Sequence, residues 1–551
     1  REKLPFGLAG TFCLHYVRKT MSASPTADLL ILGAGPVGLT LAAECRKHGI
    51  SFRIVDQNPT HSVYSKALAI WSNTIEHLAG LGLAEKFLEA GCPVRRGIFQ
   101  DNGKKIAEIP ITEGLDSPYP QPFVLPQSDT EALLGRHLAA QGVIVERNTR
   151  ALDVRPQEDH VEVDLQKPGG AETVRTRWLA ACDGARSLTR HKLEIEFRGV
   201  TENMGFILAD AKTHGELPED GMLVSSGPGG NVIIFPVKKG VWRVFALREN
   251  GDDRSEPTLE EIQRHLDGAG LSHIKLFDPE WLSHFVVNER VAVRNRVGRV
   301  FLLGDASHIH SPAGGQGMNT GMQDAFNLGW KLRLLTQGRG DTEALAESYF
   351  AERHPVACQV VKETSNLLHF GVQSHAFFRA AKRLLLPLVS HSDTLKRTAA
   401  FRLSELGISY AAGPLIEQDS PAFRHFDDLE PGTLARDVDV ISQGSPLSLW
   451  RQLLTPHHTL VVFSGPEPSR PTVEDLVGSA DPARALVVWQ GQEPPALDDC
   501  TVVTDPDGKA HRRYGLSKTA GWYLVRPDQY IAARGVATEK DLLIPYLRKI
   551  T

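Results

Sequence analysis

Asp28-Leu29-Leu30-Ile31-Leu32-Gly33-Ala34-Gly35-Pro36-Val37-Gly38 is the stretch that decides the fold class of this chain. Residues 28–32 form a short apolar run of strand length, and Leu39 to His48 carry helical apolar spacing. After Gly49 a second strand, Phe52-Arg53-Ile54-Val55, ends at Asp56. Strand, glycine turn, helix and strand, with a carboxylate about 20 residues past the glycines, raises a bare G-x-G-x-x-G to a dinucleotide-binding unit. Gly33 makes the tight turn, Gly35 lets a pyrophosphate approach the backbone, and Gly38 packs helix on strand. Asp56 is placed to accept a hydrogen bond from an adenosine ribose. The competing reading is a structural turn in some other α/β protein, and the motif alone does not separate NAD from FAD.

A second glycine-dense stretch lies far downstream. Gly304-Asp305-Ala306-Ser307-His308-Ile309-His310-Ser311-Pro312-Ala313-Gly314-Gly315-Gln316-Gly317-Met318-Asn319 follows the apolar run Val300–Leu303 and precedes the helical pattern that starts at Gly321. Dense glycine is needed where backbone passes close to a flat or charged ligand. Free N–H groups at a helix start attract negative charge. A cofactor is therefore expected here as well.

The 551 residues exceed what one core serves, so two or three domains are expected. Hydrophobic content of 41% and charged content of 23% describe an ordinary globular chain, and a net charge of −5 argues against a nucleic-acid surface. Six cysteines without paired spacing indicate neither a disulfide framework nor a zinc knuckle, which fits a reducing cytoplasm. No apolar run of roughly 18 residues predicts a spanning helix. Residues 1–20 read as an N-terminal extension, with Met21 as the natural start.

Along the rest of the chain, Asp129–Ala140 reads as an amphipathic helix and Gly142–Val145 as a strand. Residues 151–166 and 172–180 read as a hairpin turning at Lys167–Gly170. The hairpin leads into Cys182-Asp183-Gly184-Ala185-Arg186-Ser187-Leu188-Thr189-Arg190. Between residues 200 and 300, strand-like runs such as Asn231–Pro236 and Val241–Phe245 predict an antiparallel sheet walling a pocket, with Phe206, Met222, Phe235 and Pro312 as candidate lining. Residues 342–410 are helical in pattern. Beyond them, apolar strands at 460–463, 485–489, 521–525 and 530–533 precede a final helix.

The glycine fingerprint at 33–38, the Asp183-Gly184 segment with Ser187 and Arg190, and the Gly304-Asp305 loop occur in the order and spacing of one family. The chain resembles the class A flavoprotein aromatic hydroxylases, and within them the phenol hydroxylase-like branch. The resemblance covers about residues 28–360 and implies a Rossmann-type α/β FAD-binding domain (21–199 and 298–410, the latter with a helical region). An antiparallel-sheet substrate domain (200–297) is inserted in it, and a thioredoxin-like C-terminal domain (411–551) follows. It implies that Gly33, Gly35, Pro36, Gly38 and Asp56 hold the ADP half of FAD. Gln127 and Asp305 would lie along the ribityl chain, Asp183 would serve FAD and NAD(P)H, and Pro312, Gly315 and Gly317 would run beside the isoalloxazine. Met318 and Asn319 would offer N–H groups to its pyrimidine edge. Lys66, in Ser65-Lys66-Ala67, stands where many relatives carry Arg, and it lacks that residue's planar fork.

The implied activity is hydroxylation of a phenolic or other aromatic substrate with NAD(P)H and O2 through a flavin C4a-hydroperoxide, by a cytoplasmic homodimer without nucleic-acid or membrane partners. An NAD(P)H oxidase or reductase on the same fold, and a flavin-bound interaction protein, are the alternatives. Asp305, His308 and His310 could in principle bind a metal, but loop packing is the simpler reading for both histidines. Cys500 stands alone, so a C-terminal domain of this kind has no C-x-x-C pair and reads as structural or assembling. No catalytic base is assigned.

Overall fold

The computed structural model describes residues 27–551 apart from 63–64, 66, 249–252, 373–375, 411–412, 418, 427 and 492. The N-terminal extension and Lys66 lie outside the described residues.

The glycine turn opens a parallel sheet. Strand Ala27–Leu32 lies between Phe52–Val55 and Gly170–Ala181, and Val300–Leu302 lies beyond the latter, all parallel. The register places Leu30 beside Arg53 and Leu179, and Leu179 beside Val300. Residues far apart in the chain thus end their strands at one sheet edge, where an open α/β sheet takes its ligand. Helices Pro36–Lys47 and Gly317–Gln337 pack together on one face, so closely that a Cβ on Gly329 would stand 2.7 Å from Glu44 Cβ.

The stretch expected as one hairpin arm, 151–166, is two strands. Arg150–Pro156 and Val161–Lys167 pair antiparallel, and Gln157 N–H donates to His160 O across the turn. Gln157-Glu158-Asp159-His160 interrupts the apolar alternation with four polar residues, which is a turn signal. Of 142–145, only Val145 enters a strand, Val145–Glu146, and Ile144 is exposed.

A second sheet is built from the middle of the chain. Long strands Phe197–His214 and Lys275–Ala292 pair antiparallel, followed outward by Val241–Leu247, Gly230–Lys238 and Gly221–Gly227. The hairpin of Arg96–Asp101 and Lys104–Pro110 extends it at one edge, and His308–Ile309 joins it at the other. The glycine loop of residues 304–319 thereby leaves the first sheet at Leu303 and is hydrogen-bonded to the second.

Helices Thr342–Val372, Ala376–His391 and Asp393–Leu403 lead to a C-terminal unit. Its central strands Thr459–Phe463, Arg484–Trp489 and Cys500–Thr504 are parallel, Gly521–Val525 runs antiparallel to Thr459–Phe463, and Ile531–Val536 runs antiparallel to Gly521–Val525. Nearly continuous apolar sequence in the central strands reflects burial on both faces: Leu460, Val462 and Val487 face one core and Val461, Phe463 and Val488 the other. Among the described residues no helix is long and apolar enough to cross a membrane.

Candidate functional site

The glycines of the first turn have separate geometric jobs. A Cβ on Gly33, whose φ is +99°, would stand 2.2 Å from Cys182 O, and one on Gly38 would stand 1.9 Å from Gly33 O. Both positions admit only glycine because backbone meets backbone there. Gly35 differs: nothing lies within 4 Å of its added Cβ. It caps helix Pro36–Lys47, and no side chain caps that end. An open track beside an uncapped helix start, with Pro36 as the first helical residue, fits a pyrophosphate.

Asp56 is buried beneath this turn. Its Oδ2 accepts the Ala34 N–H at 2.7 Å and its Oδ1 accepts the Asn58 N–H at 2.7 Å, so the carboxylate braces the glycine loop from below. Asp183, brought next to Gly33 by the parallel pairing, accepts from Thr189 N and Oγ1 at 3.0 Å through Oδ2. Its Oδ1 is buried without a hydrogen-bond partner, a costly state for a carboxylate and one that a ligand hydroxyl or amide would relieve. Ser187 caps the following short helix, and the buried Arg190 donates to Ala185 O and to Ala306 O, tying this segment to the second glycine loop.

That second loop is held from beneath by one carboxylate. Asp324 Oδ2 accepts from Gly304 N–H at 3.0 Å and hydrogen-bonds His308 Nε2 at 2.8 Å, while Oδ1 accepts from Arg353 Nε at 2.7 Å. Burial alone would raise the Asp324 pKa, but the charge of Arg353 and the His308 contact outweigh it, and the net shift is downward. Gly304 adopts φ +55°, and its added Cβ would meet Val37 Cγ2 at 2.8 Å. The two glycine loops therefore touch through Val37. Asp305, the next residue, is exposed.

The loop then crosses to the start of helix Gly317–Gln337. Gly315, at φ +64°, lies against Ala69, and Trp71 Nε1–H donates to Gly314 O at 2.9 Å. Asn319 is a brace rather than a free amide: Nδ2 donates to Ala69 O and Gly315 O at 2.9 Å, and Oδ1 accepts the Trp71 N–H at 2.9 Å. No side chain caps this helix, so the first-turn N–H groups of Gly317, Met318 and Asn319 have no capping acceptor. His310 stacks near His308, its ring against Gly317. Burial lowers its pKa to about 4, which leaves a neutral imidazole whose buried Nε2 has no partner. Pro312 is exposed. Among the described residues no three His, Cys, Asp or Glu side chains are grouped to hold a metal.

Gln127 sits apart from the loop. Its N–H donates to Ser65 Oγ at 2.6 Å and its side chain donates to Glu131 at 2.8 Å, which fixes the residues that flank Lys66. The same segment is gripped by Arg243, a residue that sequence reasoning missed. Fully buried, it forms a two-toothed pair with Asp210 at 2.6 Å and donates to Ser65 O at 2.7 Å. The signal was an arginine within Val241-Trp242-Arg243-Val244-Phe245, a charge in a strand of apolar residues. Asp324, Arg353 and Trp71 were missed too.

On the sheet side, Phe206 stacks on Phe285 at 5.4 Å, Phe285 meets Phe245 edge-on, and Phe245 meets Phe235 edge-on. Phe206 and Phe285 share a cluster with Leu368 and Ala313, which places this aromatic row beside the glycine loop. Met222 and Phe235 pack instead around Leu68, Val94 and Val124. Leu367 and Leu403 stand 3.5 Å and 3.6 Å from the Cβ position of Gly314.

Residues 26–364 match the family described as FAD binding domain. The chain belongs to the class A FAD-dependent aromatic hydroxylases. It is 32% identical to 6-methylpretetramide 4-monooxygenase of Streptomyces rimosus over 93% of its own length and 92% of that protein's. It is 30% identical to pentachlorophenol 4-monooxygenase of Sphingobium chlorophenolicum, covering 95% and 96% of the two chains. The solved structure of the anhydrotetracycline hydroxylase OxyS from Streptomyces rimosus aligns with a TM-score of 0.74 and 28% identity, over 95% of this chain and 100% of that one. The hydroxylase is thus an FAD-dependent monooxygenase, and the open Gly35 track, the unpartnered Asp183 Oδ1 and the uncapped helix at Gly317 fit that cofactor.

Proposed function

We propose that the hydroxylase inserts one oxygen atom of O2 into a phenolic ring, with NAD(P)H as reductant, and that the ring is received between the phenylalanine row and the loop Pro312–Gly315. The observation that carries this is the apposition of Phe206, Phe285 and Leu368 with Ala313, directly before the uncapped helix at Gly317. Bound FAD supplies the electron relay and the oxygen activation. The protein's residues do the rest. Gly33, Gly35, Pro36 and Gly38 shape the pyrophosphate track, and Asp183 and Asp305 present carboxylates to hydroxyls. The N–H groups of Met318 and Asn319, at the positive end of their helix, stabilise negative charge on the reduced ring. Gly315 and Gly317 admit the flat ring close to the backbone. The segment carrying Lys66 is held by Arg243 and Gln127. The buried Leu368 and half-buried Leu403 exclude water, which protects oxygen transfer from being wasted as peroxide.

The relatives named above are monooxygenases of 6-methylpretetramide and of pentachlorophenol, which supports a hydroxylated aromatic substrate for this chain. The C-terminal unit reads as thioredoxin-like, supported by its parallel pair 459–463 and 484–489 joined through helix Arg470–Val477 and followed by antiparallel 521–525 and 531–536. The assembly is read as a cytoplasmic homodimer, with O2, NAD(P)H and the aromatic as its only small partners.

Purified protein should carry a yellow flavin spectrum, and a phenol panel of one to four rings should contain a compound that speeds NAD(P)H oxidation and gains label from isotopic O2. If every phenol yields hydrogen peroxide alone, the oxygen-transfer reading fails and the oxidase reading replaces it.

A further inference from the structure

The loop that carries Asp305 is not supported by the FAD-binding segments alone. Arg353, which holds Asp324 under Gly304, also donates to Thr320 O at 2.9 Å, in the first turn of the Gly317 helix, and to Tyr410 Oη at 3.0 Å. Its chain neighbour Glu352 also meets the Gly317 helix and reaches in addition into the C-terminal unit. There Arg526 grips Glu352 with two hydrogen bonds of 2.8 Å and Asp528 with bonds of 2.9 Å and 2.6 Å. Lys331 and Asn327, on the Gly317 helix, donate to the same Glu352 oxygen at 2.8 Å and 2.7 Å.

The guanidinium of Arg526 also lies 5.4 Å from the ring of Tyr410, which stacks on Tyr530 at 4.1 Å. Arg526, Glu352, Lys331 and Arg353 are wholly buried, and Asp528 and Asp324 nearly so. Three positive and three negative side chains balance. Removing Arg526 leaves one buried negative charge in excess on a turn that is one residue from Arg353, and a helical turn cannot move Glu352 without moving Arg353.

We propose that Arg526 is a positioning residue of the FAD site: the C-terminal unit grips the Glu352–Arg353 turn, and that turn holds Asp324 beneath the Gly304–Asp305 loop. The C-terminal unit is then a working part of cofactor binding rather than an appended domain. The inference rests on the FAD reading of that loop.

The test is FAD titration of the deflavinated full-length chain, followed by flavin fluorescence, with the melting temperature of the same samples and the share of NAD(P)H oxidation that ends as peroxide. Wild type failing to bind FAD would remove the underlying reading itself. With wild type binding, Arg526→Met is expected to weaken FAD about tenfold or more and to raise the peroxide share. Arg534→Met serves as the control for general destabilisation. Arg534 is equally buried and pairs with Asp419 inside the C-terminal unit, so its variant lowers the melting temperature with FAD affinity unchanged. Wild-type FAD affinity in Arg526→Met, or an equal loss in both variants, overturns the proposal. Should Arg526→Met not fold, Tyr410→Phe decides. It keeps the ring and removes the hydroxyl that receives Arg353, so a weakened FAD affinity at an unchanged melting temperature supports the proposal and an unchanged affinity overturns it.

Discussion

Substituting Gly35 and Gly38 by alanine, three residues apart in one turn, should separate the cofactor site from the fold. Gly35 has φ −78° and ψ −173°, a conformation open to any residue, and no protein atom lies within 4 Å of its added Cβ. Gly35→Ala should therefore melt as wild type does when FAD is absent. With FAD present, the methyl group occupies the track of the pyrophosphate and pushes it from the helix N–H groups. Hydrogen bonds to charged groups contribute about 1.5–3 kcal/mol each. Loss of one raises the dissociation constant about 10- to 150-fold. Gly38→Ala places its Cβ 1.9 Å from Gly33 O, well inside the 3.0 Å below which such contacts essentially do not occur. Helix and turn must separate by about 1 Å, and overpacking of that kind costs about 1–3 kcal/mol or more. That variant should lose both melting temperature and FAD. Flavin-fluorescence titration and far-ultraviolet dichroism of the deflavinated proteins measure the two quantities separately. Wild-type FAD affinity in Gly35→Ala would refute the assignment of this turn to the cofactor, and an unchanged melt in Gly38→Ala would refute the packing argument.

Arg243→Met removes the two-toothed partner of the buried Asp210 and the donor to Ser65 O, and breaking a buried pair in this way costs about 3–5 kcal/mol; urea denaturation should register that loss, and FAD affinity should fall with it because the segment around Lys66 is released. Burial raises the Glu405 carboxyl, which accepts from Thr320 and Gln323, to about 8. A carboxyl whose folded pKa lies above its unfolded value stabilises most below the unfolded value near 4.5, and that stability is lost as pH climbs through about 8. Glu405→Gln should flatten this decline, by a few kcal/mol between pH 5 and pH 8 at about 1.4 kcal/mol per unit of pKa difference, and parallel pH–stability curves for both proteins would contradict it. Trp71→Phe deletes the hydrogen bond to Gly314 O, worth about 0.5–1.5 kcal/mol, and should raise the peroxide share of NAD(P)H oxidation with little change in melting temperature.

The amino-acid sequence by itself determined the two glycine loops, the apolar strand before each, and the family. Those features are legible because the motif is contiguous: Gly38 meets Gly33 O within six residues, although the contact of Gly33 with Cys182 O and the open space at Gly35 are seen only in the folded chain. Strand boundaries blurred where polar residues broke an alternation, as at Gln157–His160, because periodicity averages over a window. Tertiary structure alone decided what supports the loops. Asp324 meets Arg353 across 29 residues, Trp71 meets Gly314 across 243, and Arg526 meets Glu352 across 174. Nothing at positions 324, 243 or 526 signals its partner, since a buried charge chooses its counter-charge by three-dimensional packing and not by spacing. Its sequence shows only that a charged residue sits among apolar ones and must be satisfied by something. Which carboxylate holds the Gly304 turn, and that the C-terminal unit reaches it through Glu352, became visible when the chain was folded.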